Sequence, residues 1–277
     1  MCDLYSCGSE SSSQRPLPTV SLDERRAFLQ GLATLPLAVI LADPLLAQAA
    51  GESVEEVSIT LASGKTARAV VALPEGVTSA PTVLLIHEWW GLNDQIKAVT
   101  REFAQQGFIA LAVDLYNGKV ATSREEAQAY RKGMDSKWAT EALVGWVDWL
   151  RKHDKGNGKV GTLGWCFGGG WSLNASLATP VDATVVYYGN VKKSAGDLAS
   201  LQSPLLGHFG TQDKWINAEM VDGFEKAMTE AGKSDLTVHW YEANHAFANP
   251  TGARYDEDDA KLSWERTMTF LHKHLAG

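Results

Sequence analysis

The sequence predicts an α/β fold with a mostly parallel central sheet, helices on both faces and an N-terminal antiparallel hairpin. Three observations carry that expectation. From Thr82 onward, short apolar runs alternate with stretches of helical periodicity, as in parallel strands joined by helical crossovers. The runs at 82–87 and 109–114 are almost continuously apolar rather than alternating, as strands buried on both faces are. Ahead of them, the β-rich segments 54–61 and 66–73 are separated only by Ala62-Ser63-Gly64-Lys65, which reads as a hairpin.

Taken in order, the chain opens on a part that does not belong to the fold. Residues 1–20 are rich in Ser and Pro and lack periodicity. Arg25-Arg26-Ala27-Phe28-Leu29 then precedes an apolar run from Gly31 to Leu46, and Ala47-Gln48-Ala49-Ala50 follows as a small-residue cleavage pattern. Paired arginines before a modest apolar segment resemble a twin-arginine export signal spanning 1–49. Pro36, Asp43 and Pro44 interrupt the run, so it is poorly suited to span a bilayer. Residues 50–277 are then expected as one mature domain, in a bacterial periplasm or outside the cell, with no stable membrane insertion once the signal is removed. Cys2 and Cys7 lie in the removed part, which leaves Cys166 as the lone cysteine. A single thiol in an exported protein is a reactive group or a candidate nucleophile.

The mature part continues with a loop at 74–81, the strand at 82–87, and Glu88-Trp89-Trp90-Gly91-Leu92 before a helix at 93–106. The strand at 109–114 leads through a loop to helices at 123–132 and 137–153. The second helix carries Trp138, Ala142, Trp146 and Trp149 at helical spacing, which marks a core face. Gly156-Asn157-Gly158 reads as a breaker. A strand then enters Gly164-Trp165-Cys166-Phe167-Gly168, and a helix follows. Strands at 183–188, 204–209 and 236–241, with helices at 217–231 and 257–275, complete the alternation.

Gly164-x-Cys166-x-Gly168 is the nucleophile-elbow pattern with Cys where Ser is usual. The nucleophile of such a turn sits in a strained conformation, and side chains two residues away would collide with it. Its place at a helix N-terminus favours negative charge on the sulfur. An elbow of this kind demands an acid and then a His, each just past a strand end. Asp213 follows the run 204–209, and His245 follows the run 236–241. Alone, Cys166 would be a buried thiol, Asp213 a turn residue and His245 a surface or core histidine. Their joint order marks a triad in which Cys166 attacks, His245 moves the proton and Asp213 orients His245. The backbone N–H groups of Phe167 and Trp89 are the candidate oxyanion donors. No histidine pair has ligand spacing beside a carboxylate or thiolate, so no metal is expected, and no cofactor.

Ile86-His87-Glu88-Trp89-Trp90-Gly91-Leu92, Gly164-Trp165-Cys166-Phe167-Gly168-Gly169 and Glu242-Ala243-Asn244-His245-Ala246-Phe247 carry a further reading. From about Val57 to its C-terminus the chain resembles the dienelactone hydrolase family of the α/β-hydrolase fold. The resemblance implies a carboxymethylenebutenolidase-like hydrolase of a small ester or lactone, with Cys166, His245 and Asp213 as its triad. It also implies a role for Glu88, since in that family the corresponding Glu holds the Cys as a thiol until substrate binds. The family's namesake grips a substrate carboxylate with two arginines. Here Asn249 and Glu126 stand at those places, while Arg124, Arg131 and Arg254 are out of register. Trp89, Trp90, Tyr130 and Phe247 form either a pocket wall, with Asn249, or aromatic packing around the elbow.

Net charge is −8, which argues against nucleic acid or an anionic membrane surface as partner. The partner expected is a small-molecule ester or lactone, acted on by a monomer or small homo-oligomer. A non-catalytic binding protein on the same scaffold is the competing class.

Overall fold

The computed structural model describes residues 54–276. The export signal expected at 1–49 lies outside the described residues, as do Cys2 and Cys7. Eight strands form one sheet: β1 (Glu55–Thr60), β2 (Thr66–Ala72), β3 (Ala80–Ile86), β4 (Ile109–Asp114), β5 (Gly156–Trp165), β6 (Ala183–Tyr187), β7 (Leu205–Gly210) and β8 (Leu236–Tyr241). Their spatial order is β1-β2-β4-β3-β5-β6-β7-β8. β1 pairs antiparallel with β2, and β2 with β4; every other pairing is parallel.

The helices are α1 (Asp94–Gln105), α2 (Arg124–Gly133), α3 (Ser136–Arg151), α4 (Phe167–Ala178), α5 (Ala195–Leu198), α6 (Ala218–Glu230) and α7 (Glu257–Leu275). Each apolar strand feeds both faces because successive side chains point to opposite sides. Val83 and Leu85 of β3 pack in one core with Ile96, Val99 and Phe103 of α1 and Leu271 and Leu275 of α7. Leu84 and Ile86 pack in the other with Leu143, Trp146 and Leu150 of α3. A third cluster joins Leu173 of α4 to Phe209 of β7 and Phe224 of α6.

The glycines at 156–158 do not end an element. They open β5, where the register against β3 shifts between Ala80 and Thr82. Gly158 takes φ +81°. The Asn157 side chain accepts from the Lys159 N–H at 2.9 Å and donates to the Leu275 carbonyl at 2.8 Å. What looked like a breaker is a bulge that ties the strand to the end of α7.

One architectural fact positions everything that follows. The chain leaves β3 toward β4 on one side and returns to β5 on the other, so the order reverses around β3. The loops after β3 and β5 therefore separate at the C-terminal edge of the sheet, which opens a crevice there.

Candidate active site

Cys166 sits in the mouth of that crevice. It is the residue before α4, with φ 55° and ψ −115°, a conformation disfavoured for a residue with a side chain. Its neighbours enforce it. The Cys166 N–H donates to the Tyr187 carbonyl at 3.0 Å, while the Cys166 carbonyl accepts from the Gly169 N–H at 3.1 Å. A Cβ at Gly164 would land on the Gly168 carbonyl, and one at Gly168 would land on the Ile86 and His87 carbonyls. Only glycine lets β5, α4 and the end of β3 approach this closely.

Behind the elbow, a file of buried hydroxyls clamps α4 to the sheet. Thr162 bonds Ser172 and Ser176 at 3.0 Å each. Ser176 bonds Thr184, and Thr184 bonds Ser203, both at 2.6 Å. These groups satisfy one another in the dry interior and hold the helix in one position.

His245 Nε2 lies 3.1 Å from the Cys166 sulfur, and His245 Nδ1 donates to Asp213 Oδ2 at 2.6 Å. Asp213 follows β7, and its other oxygen accepts from the backbone N–H of Trp215 at 2.8 Å and of Ile216 at 3.1 Å. The two loops are tied together. The Gln212 N–H donates to the Ala243 carbonyl at 3.0 Å, and the Asn244 side chain donates to that of Gln212 at 2.9 Å. Burial opposes charge on Asp213, but His245 and the two backbone donors hold its carboxyl below the ordinary range. Burial also lowers the His245 pKa. The Asp213 hydrogen bond and the bond and charge of Cys166 outweigh it and raise it to about 10. The sequence-predicted Cys166, Asp213 and His245 are thus brought into one hydrogen-bonded line.

Glu88 lies in the loop after β3, buried, with Oε2 accepting from the Asn249 side chain at 2.7 Å. Burial pushes its carboxyl up, opposed by the hydrogen bonds of Asn249 and Tyr188 and by the positive charges of His245 and Arg254. Trp89 is in the same loop, its ring 5.1 Å from that of Trp90. Phe167 opens α4, and its ring stacks at 5.8 Å on buried His87. The loop that bears Trp89 thus meets the start of α4, which bears Phe167, through the His87–Phe167 contact.

The pocket residues divide. Tyr130 lines a cavity of about 520 Å³ with Leu115, Tyr116, Met134 and Trp138. That cavity lies next to the elbow, where the Tyr116 ring is 5.6 Å from the Phe167 ring. Phe247 is no pocket wall: it is fully buried between Tyr188 and Tyr241. Asn249 is likewise buried and engaged with Glu88. Glu126 caps α2, accepting from the N–H and the hydroxyl of Thr122 at 2.8 Å each.

Two residues near the triad escaped the sequence reading, and a third, Arg254, was weighed there only as out of register. Tyr188, at φ 36°, places its ring 5.2 Å from His245. Trp215 is 61% exposed and stands edge-on to His245 at 5.3 Å. The Arg254 guanidinium lies 5.1 Å above the Trp215 ring, a cation–π contact at the mouth of the site. The usable signal was position: Tyr188 follows β6 directly, and Trp215 follows Asp213 by two residues. Arg254 had no local signal, since the loop after His245 brings it back.

Comparison with known proteins agrees with this architecture. The sequence profile of the Dienelactone hydrolase family matches residues 67–275. A carboxymethylenebutenolidase of Pseudomonas putida is 30% identical over 230 residues, covering 78% of this chain and 95% of that protein. Carboxymethylenebutenolidase 1 of Cupriavidus pinatubonensis is 25% identical over 225 residues, covering 78% and 95%. A solved dienelactone hydrolase-like promiscuous phosphotriesterase from metagenomic libraries superposes with TM-score 0.70 at 25% identity, covering 80% of this chain and 98% of that one. With a profile match across most of its length and these relatives, this chain belongs to the dienelactone hydrolase family.

Proposed function

We propose that this chain hydrolyses a small ester or lactone through a Cys166–His245–Asp213 triad and a thioester intermediate. The observation that carries this reading is the line from the Cys166 sulfur through His245 to Asp213, at 3.1 and 2.6 Å, on an elbow at the sheet's switch point. His245 Nε2 takes the thiol proton, and the sulfur attacks the carbonyl carbon. The oxyanion is met by the N–H groups of Phe167 and Trp89. The C–O bond breaks, and the leaving alkoxide takes the proton from His245. Water, deprotonated by the same nitrogen, then attacks the thioester, and the carboxylic acid and the thiol are released. From a lactone the alcohol stays tethered to the acid, so a single product leaves. Asp213 keeps the His245 proton on Nδ1 throughout, which leaves Nε2 free for the shuttle.

The reading extends to location: the 1–49 segment supports twin-arginine export to the periplasm or beyond. Among the described residues no helix is long and apolar enough to cross a membrane.

The deciding experiment is Cys166→Ala in the purified enzyme, assayed with a short-chain aryl ester and a panel of lactones. Turnover should fall by about 10³-fold or more. Undiminished hydrolysis would remove Cys166 from the chemistry, and no hydrolysis by the unmodified enzyme across the panel would favour a binding protein.

A further inference from the structure

Among the described residues, Trp215 is the most exposed large apolar side chain. A single exposed apolar residue is ordinary on a surface. This one is fixed on three sides. Its backbone N–H donates to Asp213 Oδ1 at 2.8 Å, so the acid of the triad anchors it. Its ring meets the His245 imidazole at 5.3 Å and at 80° to it. The Arg254 guanidinium lies 5.1 Å above the ring. Among the described residues no carboxylate forms an ion pair with Arg254, so the indole is what holds this cation. The loop that brings Arg254 back is closed on itself. The Gly252 N–H donates to the Asn249 carbonyl at 3.0 Å, and the Asp256 N–H donates to the Phe247 carbonyl at 3.0 Å. The loops that carry the acid and the base of the triad thus also carry the indole and the cation.

The two sides of the elbow differ. Phe167 has the Tyr116 ring against it, and Tyr116 lines the cavity of about 520 Å³. His245 has Tyr188 and Trp215 against it. In ester cleavage the departing oxygen takes its proton from His245 Nε2, so it must come within hydrogen-bond reach of the imidazole. The alcohol part of the substrate therefore leaves on the His245 side, and the acyl part has the side of Phe167 and the cavity. Tyr188 is buried, so the aromatic surface open to the departing group is Trp215. A braced indole offers a large rigid π surface, and its best partner is another flat π system in offset or edge-to-face contact. We infer that Trp215 is a specificity residue for the leaving group, a platform for an aromatic alcohol, and that Arg254 is the positioning residue that braces its ring. The substrate class is then an ester of a phenol or an arylmethanol. This rests on the hydrolase reading and narrows it.

The test compares benzyl acetate with cyclohexylmethyl acetate. The two share an acyl group, a length and a primary alcohol, and differ in the π system. The unmodified enzyme should favour the benzyl ester in kcat/KM. Trp215→Leu keeps an apolar side chain and removes the indole, and because the residue is largely exposed the variant should fold. It should lower kcat/KM about fivefold for benzyl acetate and leave cyclohexylmethyl acetate within about twofold. Arg254→Gln should raise KM for the benzyl ester about threefold with kcat unchanged. Arg254→Lys keeps a cation over the ring and should restore it. Equal losses on both esters in Trp215→Leu would mark the indole as mere support for His245 and overturn the inference. So would no loss on either, or no benzyl preference in the unmodified enzyme. An Arg254→Gln variant that Arg254→Lys does not rescue overturns the role of Arg254. Turnover of other esters or lactones but of neither acetate strikes the platform alone. No turnover of any ester or lactone strikes the hydrolase reading, and the platform with it.

Discussion

At the scale of single residues, His245 sets how the site responds to protonation. Burial lowers its pKa, while Asp213 and Cys166 raise it, for a net value of about 10. Cys166→Ala deletes the sulfur's hydrogen bond and charge and leaves the burial in place. The imidazolium of that variant must lose its proton at lower pH than in the unmodified enzyme, as an NMR titration of the His245 ring protons would show. An unmoved titration would mean that the sulfur does not face the ring electrostatically. Asp213→Asn tests the other partner. An amide in place of the carboxylate can present N–H to Nδ1, which favours the wrong tautomer, and kcat should fall by about 10³–10⁴-fold. A loss below about tenfold would demote Asp213 to a loop anchor. These three residues were legible in the sequence because each follows an apolar strand, and strand ends share one edge of a parallel sheet. The Asn249–Glu88 bond was not, because it spans 161 positions. No local pattern signals which side chain fills such a gap. Phe247 stayed open between pocket and packing for the same reason: an aromatic beside a catalytic His can face substrate or core, and only packing decides.

The elbow is the element on which the rest depends, and its tolerance can be measured. Gly164→Ala puts a methyl on the Gly168 carbonyl, a backbone atom that cannot yield without moving α4. The variant should lose about 3 kcal/mol or more in urea unfolding, or fail to fold. Gly223 is a fair control, because a Cβ there meets nothing within 4 Å, and it lies inside α6. Gly223→Ala should gain about 0.5–1 kcal/mol from helix propensity alone. Equal effects from both substitutions would mean that the elbow is looser than its geometry implies. The periodicity that located most strands and helices within a residue or two failed where structure is made by pairing instead of pattern. The start of β5 was hidden by glycines that serve a bulge, and the four residues of α5 are too few to show a period. The hydroxyl file behind the elbow was hidden too, since Ser and Thr at buried positions look like helix and strand filler until their partners are known.

For the molecule as a whole, acid stability is governed by histidines outside the chemistry. His87 and His208 are both fully buried. His87 Nε2 accepts from the Leu115 N–H at 3.2 Å, and Nδ1 donates to the Glu88 carbonyl at 2.6 Å, so the neutral ring uses both nitrogens. The Tyr241 hydroxyl accepts from Arg266 at 3.1 Å and meets His208 Nδ1 at 2.7 Å, leaving its own proton for that nitrogen. Burial lowers both histidine pKa values, and for His208 the nearby charges of His239 and Arg266 lower it further. A depressed histidine binds its proton in the unfolded chain before it does so in the native one. Its stabilising contribution is therefore complete above about pH 6.5 and is lost as pH falls below that value. Each such group steepens the acid limb by up to about 1.4 kcal/mol per pH unit below about pH 6.5, down to its own depressed value. His208→Gln should lower stability at neutral pH, through its disturbed bonds to Tyr241 and Thr267, yet flatten this limb. Urea unfolding at a series of pH values reads both effects, and an acid limb as steep in the variant as in the unmodified protein would show that His208 is not held neutral. The site's own histidine works in the opposite sense, retaining its proton where these two refuse one. The residue after β3, the interior of β7 and the loop after β8 thus tune three imidazoles differently in the same fold.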